Sequence, residues 1–197
     1  RTVLSVGDSA PELDLQNQDG ETRSLTQLRG AAVIVYFFPK AFTPGCTKEV
    51  CDFRDSRSDL ERAGYTVFGV SADSPETLRE FADANGVGHD LLSDPDHVAA
   101  KRWGAFGDKV VGGESMVGPL RSTFVIDAEG TLTSVEYALD ADTHVTARRA
   151  ETGVGRGPPD ILFHPLAALP LHSRDGPPRP RTSTPQAPHG TPCTRGR

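Results

Sequence analysis

Two of the three cysteines in the chain, Cys46 and Cys51, lie five residues apart in the stretch "PKAFTPGCTKEVCDFRD". A cysteine is nucleophilic only as a thiolate, and a place in the first turn of a helix lowers its pKa from the usual value of about 8.5. Thr43 suits the N-cap and Pro44 the first helical position, so Cys46 becomes the third residue of a predicted helix. There it meets free backbone amides and the positive end of the helix dipole. The pattern predicts a reactive thiol at Cys46; the alternative is a small buried hydrophobic residue, as most free cysteines are.

The spacing of these cysteines differs from that of other sulfur sites. Zinc sites and thioredoxin-type redox motifs use the spacing CxxC or a close variant, and neither Cys46 nor Cys51 has another cysteine at that distance. The histidines of the predicted folded part, His89, His97 and His144, are scattered singly and are better explained as surface or core residues than as ligands. A cysteine–histidine protease would need one of them beside Cys46, and the sequence does not indicate which one.

Apolar runs and helix signals alternate along the chain before position 155. The run "AAVIVYFF" at 31–38 is typical of a central strand buried on both faces, and the run at 65–73 predicts a second buried strand. A helix follows each run, the second capped by Ser74 with Pro75 at its first position. This order predicts an α/β domain with a central mixed β-sheet flanked by helices. The other predicted elements are an N-terminal hairpin turning at Asp19–Gly20, a short strand at 90–94, a short helix at 95–106, a hairpin turning at Glu129–Gly130 and a last helix from Asp142 to about Gly153.

The composition is typical of one soluble globular domain. The chain has 197 residues, of which 36% are hydrophobic and 24% charged. No apolar run approaches the roughly 20 residues that a membrane-spanning helix needs, so no membrane partner is expected. The N-terminus lacks a basic segment followed by an apolar stretch, and no signal peptide is predicted. Three cysteines are too few for a secreted disulfide scaffold, which favours a reducing, cytoplasmic location.

Residues 155–197 differ sharply in composition from the rest. They contain ten prolines and five glycines, and six arginines against two aspartates give them a charge of +4. Since the whole chain carries −6, residues 1–154 carry −10. That acidic body argues against a nucleic-acid partner, which would need clustered Lys and Arg. We expect a folded domain at 1–154 and a disordered Pro/Gly/Arg-rich tail at 155–197, with a proline-rich ligand for a partner domain as the alternative for the tail.

The segment "FFPKAFTPGCTKEVCDFRD" closely resembles the active-site segment of peroxiredoxins, in particular of the peroxiredoxin Q or bacterioferritin comigratory protein type. The family motif Pro-x-x-x-Thr-x-x-Cys is present as Pro39, Thr43 and Cys46, and Glu49 follows it. The segment "GPLRSTFVID" resembles the one that supplies the family's active-site arginine, here Arg121. The segments "SVGDSAPELDL", "GVSADSPE" and "LLSDPDHVAAKRWGAF" follow the family pattern as well, so the resemblance covers about residues 3 to 154. It implies a thioredoxin-like fold and thiol-dependent reduction of hydrogen peroxide and organic hydroperoxides.

The resemblance also implies a role for each residue of the motif. The Cys46 thiolate attacks the O–O bond of the peroxide and becomes a sulfenic acid. Arg121 stabilises the thiolate and the developing negative charge, because its guanidinium is permanently charged and has fixed donors. Thr43 orients the peroxide and the sulfur, Pro39 shields the pocket from water and Glu49 holds Arg121 in place.

Cys51 is implied to condense with the sulfenic acid to form an intramolecular disulfide, which thioredoxin or a similar thiol reductant reopens. On a regular helix, residues i and i+5 are separated by about 7.5 Å of rise and roughly 500° of rotation. A disulfide needs Cα atoms about 4.4 to 6.8 Å apart with converging side chains, so the helix must unwind to form it. We expect unwinding to begin near Gly45. The reaction requires no cofactor or metal, and we expect a monomer or a weak dimer.

Each motif residue also has a purely structural interpretation. Thr43 could be only a helix cap and Pro39 only a strand terminator. Glu49 could be a solvated acid and Arg121 a surface arginine. For the whole protein, the alternatives are a general disulfide oxidoreductase with the same fold, and a redox sensor or holdase that exposes an apolar surface when Cys46 is oxidised.

Overall fold

The computed structural model describes residues 2–137, whose backbone forms a seven-stranded mixed sheet, a separate two-stranded sheet and three α-helices. The predicted last helix at 142–153 and the predicted tail at 155–197 lie outside these described residues. The elements are β1 (Asp14–Asn17), β2 (Thr22–Ser24), β3 (Ala32–Phe37), α1 (Pro44–Arg62), β4 (Tyr65–Ser71), α2 (Pro75–Asn85), β5 (Asp90–Ser93), α3 (Val98–Arg102), β6 (Phe106–Val111), β7 (Glu114–Pro119), β8 (Ser122–Ile126) and β9 (Leu132–Glu136).

The large sheet has the strand order β2-β1-β5-β4-β3-β8-β9. Strands β3, β4 and β5 run parallel to one another, and all other neighbouring pairs in this sheet are antiparallel. The sequence predictions of a central mixed sheet, an N-terminal hairpin (β1–β2) and a terminal hairpin (β8–β9) are therefore confirmed. Because β3 and β4 are parallel, both end at the same edge of the sheet, and α1 begins just beyond that edge.

Strand β3 has a hydrophobic core on each of its faces. Alternate side chains of a strand point to opposite faces, so Val35 and Phe37 enter one cluster while Ile34 and Tyr36 enter the other. The first cluster includes Trp103, just after α3, and the second is covered by α1 and α2. Burial of each large apolar side chain stabilises the fold by roughly 1.5–3 kcal/mol. Double-sided burial explains why this strand is an unbroken apolar run.

The β6–β7 hairpin was not predicted from the sequence. Its turn is Gly112–Gly113, and both residues have positive φ angles, 60° and 86°, which glycine adopts without strain. The flanking residues include Val110 and Val117, which are exposed, so the apolar/polar alternation that marks a half-buried strand is weak here. A glycine pair between two short apolar runs was the available signal. Only Leu120 and Arg121 separate β7 from β8, so the hairpin determines where these two residues lie.

Candidate active site

Cys46 lies where the sequence predicts, as the third residue of α1. Thr43 is the N-cap, with extended φ and ψ of −85° and 147°, and Pro44 is the first helical residue. The thiol is free and its residue is only 1% exposed. The hydroxyl of Thr43 differs from the expected cap, because it donates to the Lys40 carbonyl (2.9 Å) and makes no bond to a helix amide. The Thr43 carbonyl still accepts the first helical hydrogen bond from the amide of Thr47 (2.9 Å).

Arg121, in the connection between β7 and β8, contacts Cys46. Its Nη2 donates to Cys46 Sγ at 3.3 Å, and its Nη1 forms an ion pair with the Glu49 carboxylate. The side chains of Arg121 and Glu49 are only 11% and 15% exposed. The structure therefore brings together three of the predicted site residues, two from the first two turns of α1 and one from the β7–β8 connection.

Burial strengthens the electrostatic coupling among these groups. Burial raises the pKa of Glu49 to about 7, although the neighbouring Arg121 favours the ionised carboxylate. Burial alone would lower the pKa of Arg121, but the negative charges of Glu49 and Cys46 outweigh it and leave that pKa raised. One permanently charged guanidinium is thus shared between the Cys46 sulfur and the Glu49 carboxylate.

Pro39 and Cys51 occupy less direct places. Pro39 is half-buried in the connection between β3 and α1, and its predicted shielding role stays a prediction. Cys51 lies in the middle of α1, is 7% exposed, and has its Sγ 3.9 Å from Asn85 Oδ1 of α2. Because both cysteines belong to one intact helix, a bond between Cys46 and Cys51 requires a change in the backbone of α1.

Two features near the site were missed by the sequence analysis. The carboxylate of Asp73, just after β4, accepts a hydrogen bond from the Ala41 amide at 2.8 Å and so connects β4 to the active-site loop. Tyr36 hydrogen-bonds Nε2 of the buried His89 (2.8 Å), and the ring of Phe53 in α1 stacks on Tyr36 with centroids 4.3 Å apart. Both contacts join segments that are distant in sequence, so no local sequence pattern predicts them.

The structure describes two of the three histidines that the sequence analysis considered. His89 is a buried core residue, as predicted, and His97 is half-buried just before α3. His144 lies outside the described residues. Within residues 2–137, no group of three or more His, Cys, Asp or Glu side chains is arranged to hold a metal ion. Over the same range, no helix has both the length and the hydropathy required to cross a bilayer.

Comparison with known proteins places this geometry in a family. The sequence matches the model of the AhpC/TSA family over residues 6–135, which is well over half of the chain. The chain belongs to the AhpC/TSA family. Within that family it is a peroxiredoxin of the peroxiredoxin Q or bacterioferritin comigratory protein type, as the sequence motifs indicated.

Relatives of this peroxiredoxin support the assignment over most of their length. A putative peroxiredoxin of Mycobacterium tuberculosis is 46% identical over 153 residues, which cover 78% of this chain and 98% of that protein. Peroxiredoxin Bcp of Escherichia coli is 44% identical over 137 residues, covering 70% of this chain and 86% of that protein. The bacterioferritin comigratory protein of Xanthomonas campestris, studied as a trapped intermediate and ligand complex for its alkyl peroxide reduction activity, superposes with a TM-score of 0.63 at 29% identity, covering 71% of this chain and 88% of that one.

These matches also settle the class of fold and of activity. The central mixed sheet with flanking helices is the thioredoxin-like fold that the resemblance implied. As a peroxiredoxin, the protein is an enzyme and a thiol-dependent peroxidase.

Proposed function

We propose that this peroxiredoxin reduces hydrogen peroxide and organic hydroperoxides at Cys46 and resolves the oxidised thiol with Cys51. The observation that carries the proposal is the 3.3 Å approach of Arg121 Nη2 to Cys46 Sγ in a nearly solvent-free setting. A guanidinium donor at that distance stabilises the thiolate and also the charge that develops on the peroxide oxygens. The described alkyl peroxide reduction of the Xanthomonas campestris relative supports organic hydroperoxides as substrates.

In the first step, the Cys46 thiolate attacks one oxygen of the peroxide ROOH. The O–O bond breaks, sulfur is oxidised to the sulfenic acid Cys–SOH, and the other oxygen leaves as ROH after it takes up a proton. Thr43 orients the peroxide, Pro39 excludes water, and Glu49 holds Arg121. The ion pair between Glu49 and Arg121 supports the last of these roles, because it holds Nη1 of the guanidinium while Nη2 donates to Cys46.

In the second step, Cys51 in its reduced form attacks the sulfenic sulfur through its thiol. A Cys46–Cys51 disulfide forms and water leaves, so no external electrons are needed. Thioredoxin or a similar dithiol then donates two electrons by thiol–disulfide exchange and restores both thiols. A monomeric or weakly dimeric state, a cytoplasmic location and a domain end near residue 154 stay predictions of the sequence.

Turnover with a reducing system tests this function. The assay follows NADPH oxidation by thioredoxin reductase and thioredoxin, with hydrogen peroxide or cumene hydroperoxide as substrate. Wild-type protein should sustain turnover, whereas Cys46→Ser should be inactive. Cys51→Ser should consume one equivalent of peroxide and then stop. A wild type that exchanges disulfides but consumes peroxide slowly would instead favour a general disulfide oxidoreductase, and fast oxidation without recycling would favour a redox sensor.

A further inference from the structure

The connection between β3 and α1 contains one residue with a strained backbone conformation. Phe42 has a φ of 62°, in the left-handed region that a bulky residue rarely occupies. Such a conformation is unfavourable and persists only where its surroundings enforce it. Since Phe42 directly precedes Thr43, the contacts that enforce it also set the place of the α1 N-cap.

Asp73 provides one of those contacts. Its Oδ2 accepts hydrogen bonds from the Ala41 amide and from the Ser71 hydroxyl, both at 2.8 Å. Its own carbonyl accepts from the Ser93 hydroxyl of β5 at 2.7 Å. Ser71 and Ser93 are buried strand residues, so the carboxylate is fixed to the sheet and the loop is fixed to the carboxylate. A hydrogen bond to an ionised acceptor is roughly twice as strong as one between neutral groups.

A second contact supports the same loop from the helical side. The ring of Phe42 packs edge-on against Phe81 of α2, with centroids 5.1 Å apart, and Ala41 is 4% exposed. The loop is therefore held between the end of β4 and the face of α2. Ala41 lies two residues before Thr43 and five before Cys46.

The backbone around Arg121 is held by contacts outside this loop, although its guanidinium pairs with Glu49 of α1. Arg121 belongs to the β7–β8 connection, where the Ser122 hydroxyl donates to the Leu120 carbonyl (3.1 Å) and the Leu120 amide donates to the Ala105 carbonyl (2.8 Å). A shift of the loop would therefore move Thr43 and Cys46 relative to Arg121. Displacements of about 1 Å in an active site can cost about a hundredfold in rate.

We propose that Asp73 is a positioning residue for the peroxide step, acting through the Ala41 amide on Thr43 and Cys46. The inference rests on the proposed function of Cys46 and goes beyond it by assigning the residue that sets its geometry against Arg121. The loop must keep its place while peroxide reacts, but α1 must open before Cys51 can react. Loss of the Asp73 bond should therefore slow the first step and leave the second equally fast or faster. General destabilisation would not separate the two steps in that way.

The experiment is rapid-quench mass spectrometry of reduced protein mixed with hydrogen peroxide, which follows loss of the dithiol and growth of the disulfide in one reaction. Asp73→Ala should lose the dithiol about tenfold to a hundredfold more slowly than wild type. Asp73→Asn keeps a carbonyl acceptor without the charge, so its rate should lie between the two. Disulfide formation from the sulfenic acid should not slow in either variant.

Asp127→Ala is the matched control. Asp127 is also half-buried and accepts from two backbone amides, those of Glu129 (3.1 Å) and Thr131 (2.8 Å). It follows Ile126, which pairs with Val33 near the start of β3, at the edge of the sheet opposite the loop. This variant should keep the wild-type rate of dithiol loss.

The assignment of Asp73 would be overturned if Asp73→Ala slowed both steps equally. It would also be overturned if Asp127→Ala slowed dithiol loss as much as Asp73→Ala does. If the alanine variant does not fold, a wild-type rate in Asp73→Asn would overturn it. If wild type and Asp73→Ala both lose the dithiol rapidly, this inference is refuted but the proposed function is not. A wild type that does not oxidise at Cys46 refutes the proposed function, and the role of Asp73 with it.

Discussion

Nη2 of Arg121 lies 3.3 Å from Sγ of Cys46, although 75 residues separate them in the sequence. The sheet explains the meeting, because β8 is antiparallel to β3 and Ser122 pairs with Phe37, the last residue of β3. Arg121 therefore emerges at the edge where β3 ends and α1 begins. The same sheet edge delivers both the nucleophile and its cationic partner.

Replacement of Arg121 by Met should slow the peroxide step by about 10² to 10³, the usual cost of removing one donor to a developing anion. The measurement is stopped-flow oxidation of the reduced variant by hydrogen peroxide, with circular dichroism to verify the fold. Arg23→Met serves as the control, since it removes a half-buried arginine that pairs with Asp90 at 2.8 Å in another part of the fold. An unchanged rate in folded Arg121→Met would remove this residue from the site.

The N-terminal part of α1 should exchange its amides faster in the disulfide form than in the dithiol form, because Cys46 and Cys51 cannot bond on an intact helix. Faster exchange is expected over residues 47–53. The increase should end there, because Phe53 stacks on Tyr36 and Arg54 Nη1 donates to the Asn85 carbonyl at 2.7 Å. Hydrogen exchange with mass spectrometry on the two redox forms measures this directly.

Two results would contradict that account of α1. One is equal protection of residues 47–53 in both redox forms. The other is a peptide map in which Cys46 is joined to Cys193 instead of Cys51. Cys46→Ser protein is the control, since it should keep its helix protected after peroxide treatment.

The buried His89 should make the fold less stable in acid. Burial, reinforced by the positive charge of Arg57, lowers its pKa from 6.5 to about 4 against the opposing effect of Asp90. Among residues 2–137, its Nδ1 has no hydrogen-bond partner and its Nε2 bonds only the Tyr36 hydroxyl. Between pH 6.5 and 4 the unfolded chain therefore binds a proton that the folded protein excludes, and stability falls as pH falls. The loss should reach about 3 kcal/mol.

Urea unfolding from pH 7.5 to 4.5 tests the contribution of His89. In His89→Gln the acid-dependent loss of unfolding free energy should be smaller than in wild type, and the difference between the two should grow as pH falls. His97→Gln, just before α3, is the control for removal of a histidine elsewhere in the fold. Parallel curves for wild type and His89→Gln would show that His89 does not control the acid sensitivity.

Local signals account for the parts of the fold that the sequence predicted. The apolar run that became β3 and the Thr43–Pro44 start of α1 depend on neighbouring residues only, so pattern and propensity were sufficient. The motif resemblance, and not spacing, connected Arg121 to Cys46. The Asp73–Ala41 bond and the His89–Tyr36 pair depend on strand register across the sheet, which one sequence does not specify. Hydroxyl orientation was not predicted either, since Thr43 donates to the Lys40 carbonyl and does not bond a helix amide.

The most direct test of the account is the identity of the first thiol to be oxidised. Cys51→Ser protein, in which the sulfenic acid cannot be resolved by Cys51, is treated with one equivalent of hydrogen peroxide in the presence of dimedone and analysed by peptide mass spectrometry. The account predicts a dimedone adduct on Cys46, formed at the rate of peroxide loss and absent in the Cys46→Ser/Cys51→Ser double variant. An adduct on Cys193, or peroxide loss at the same rate in the double variant, would contradict it.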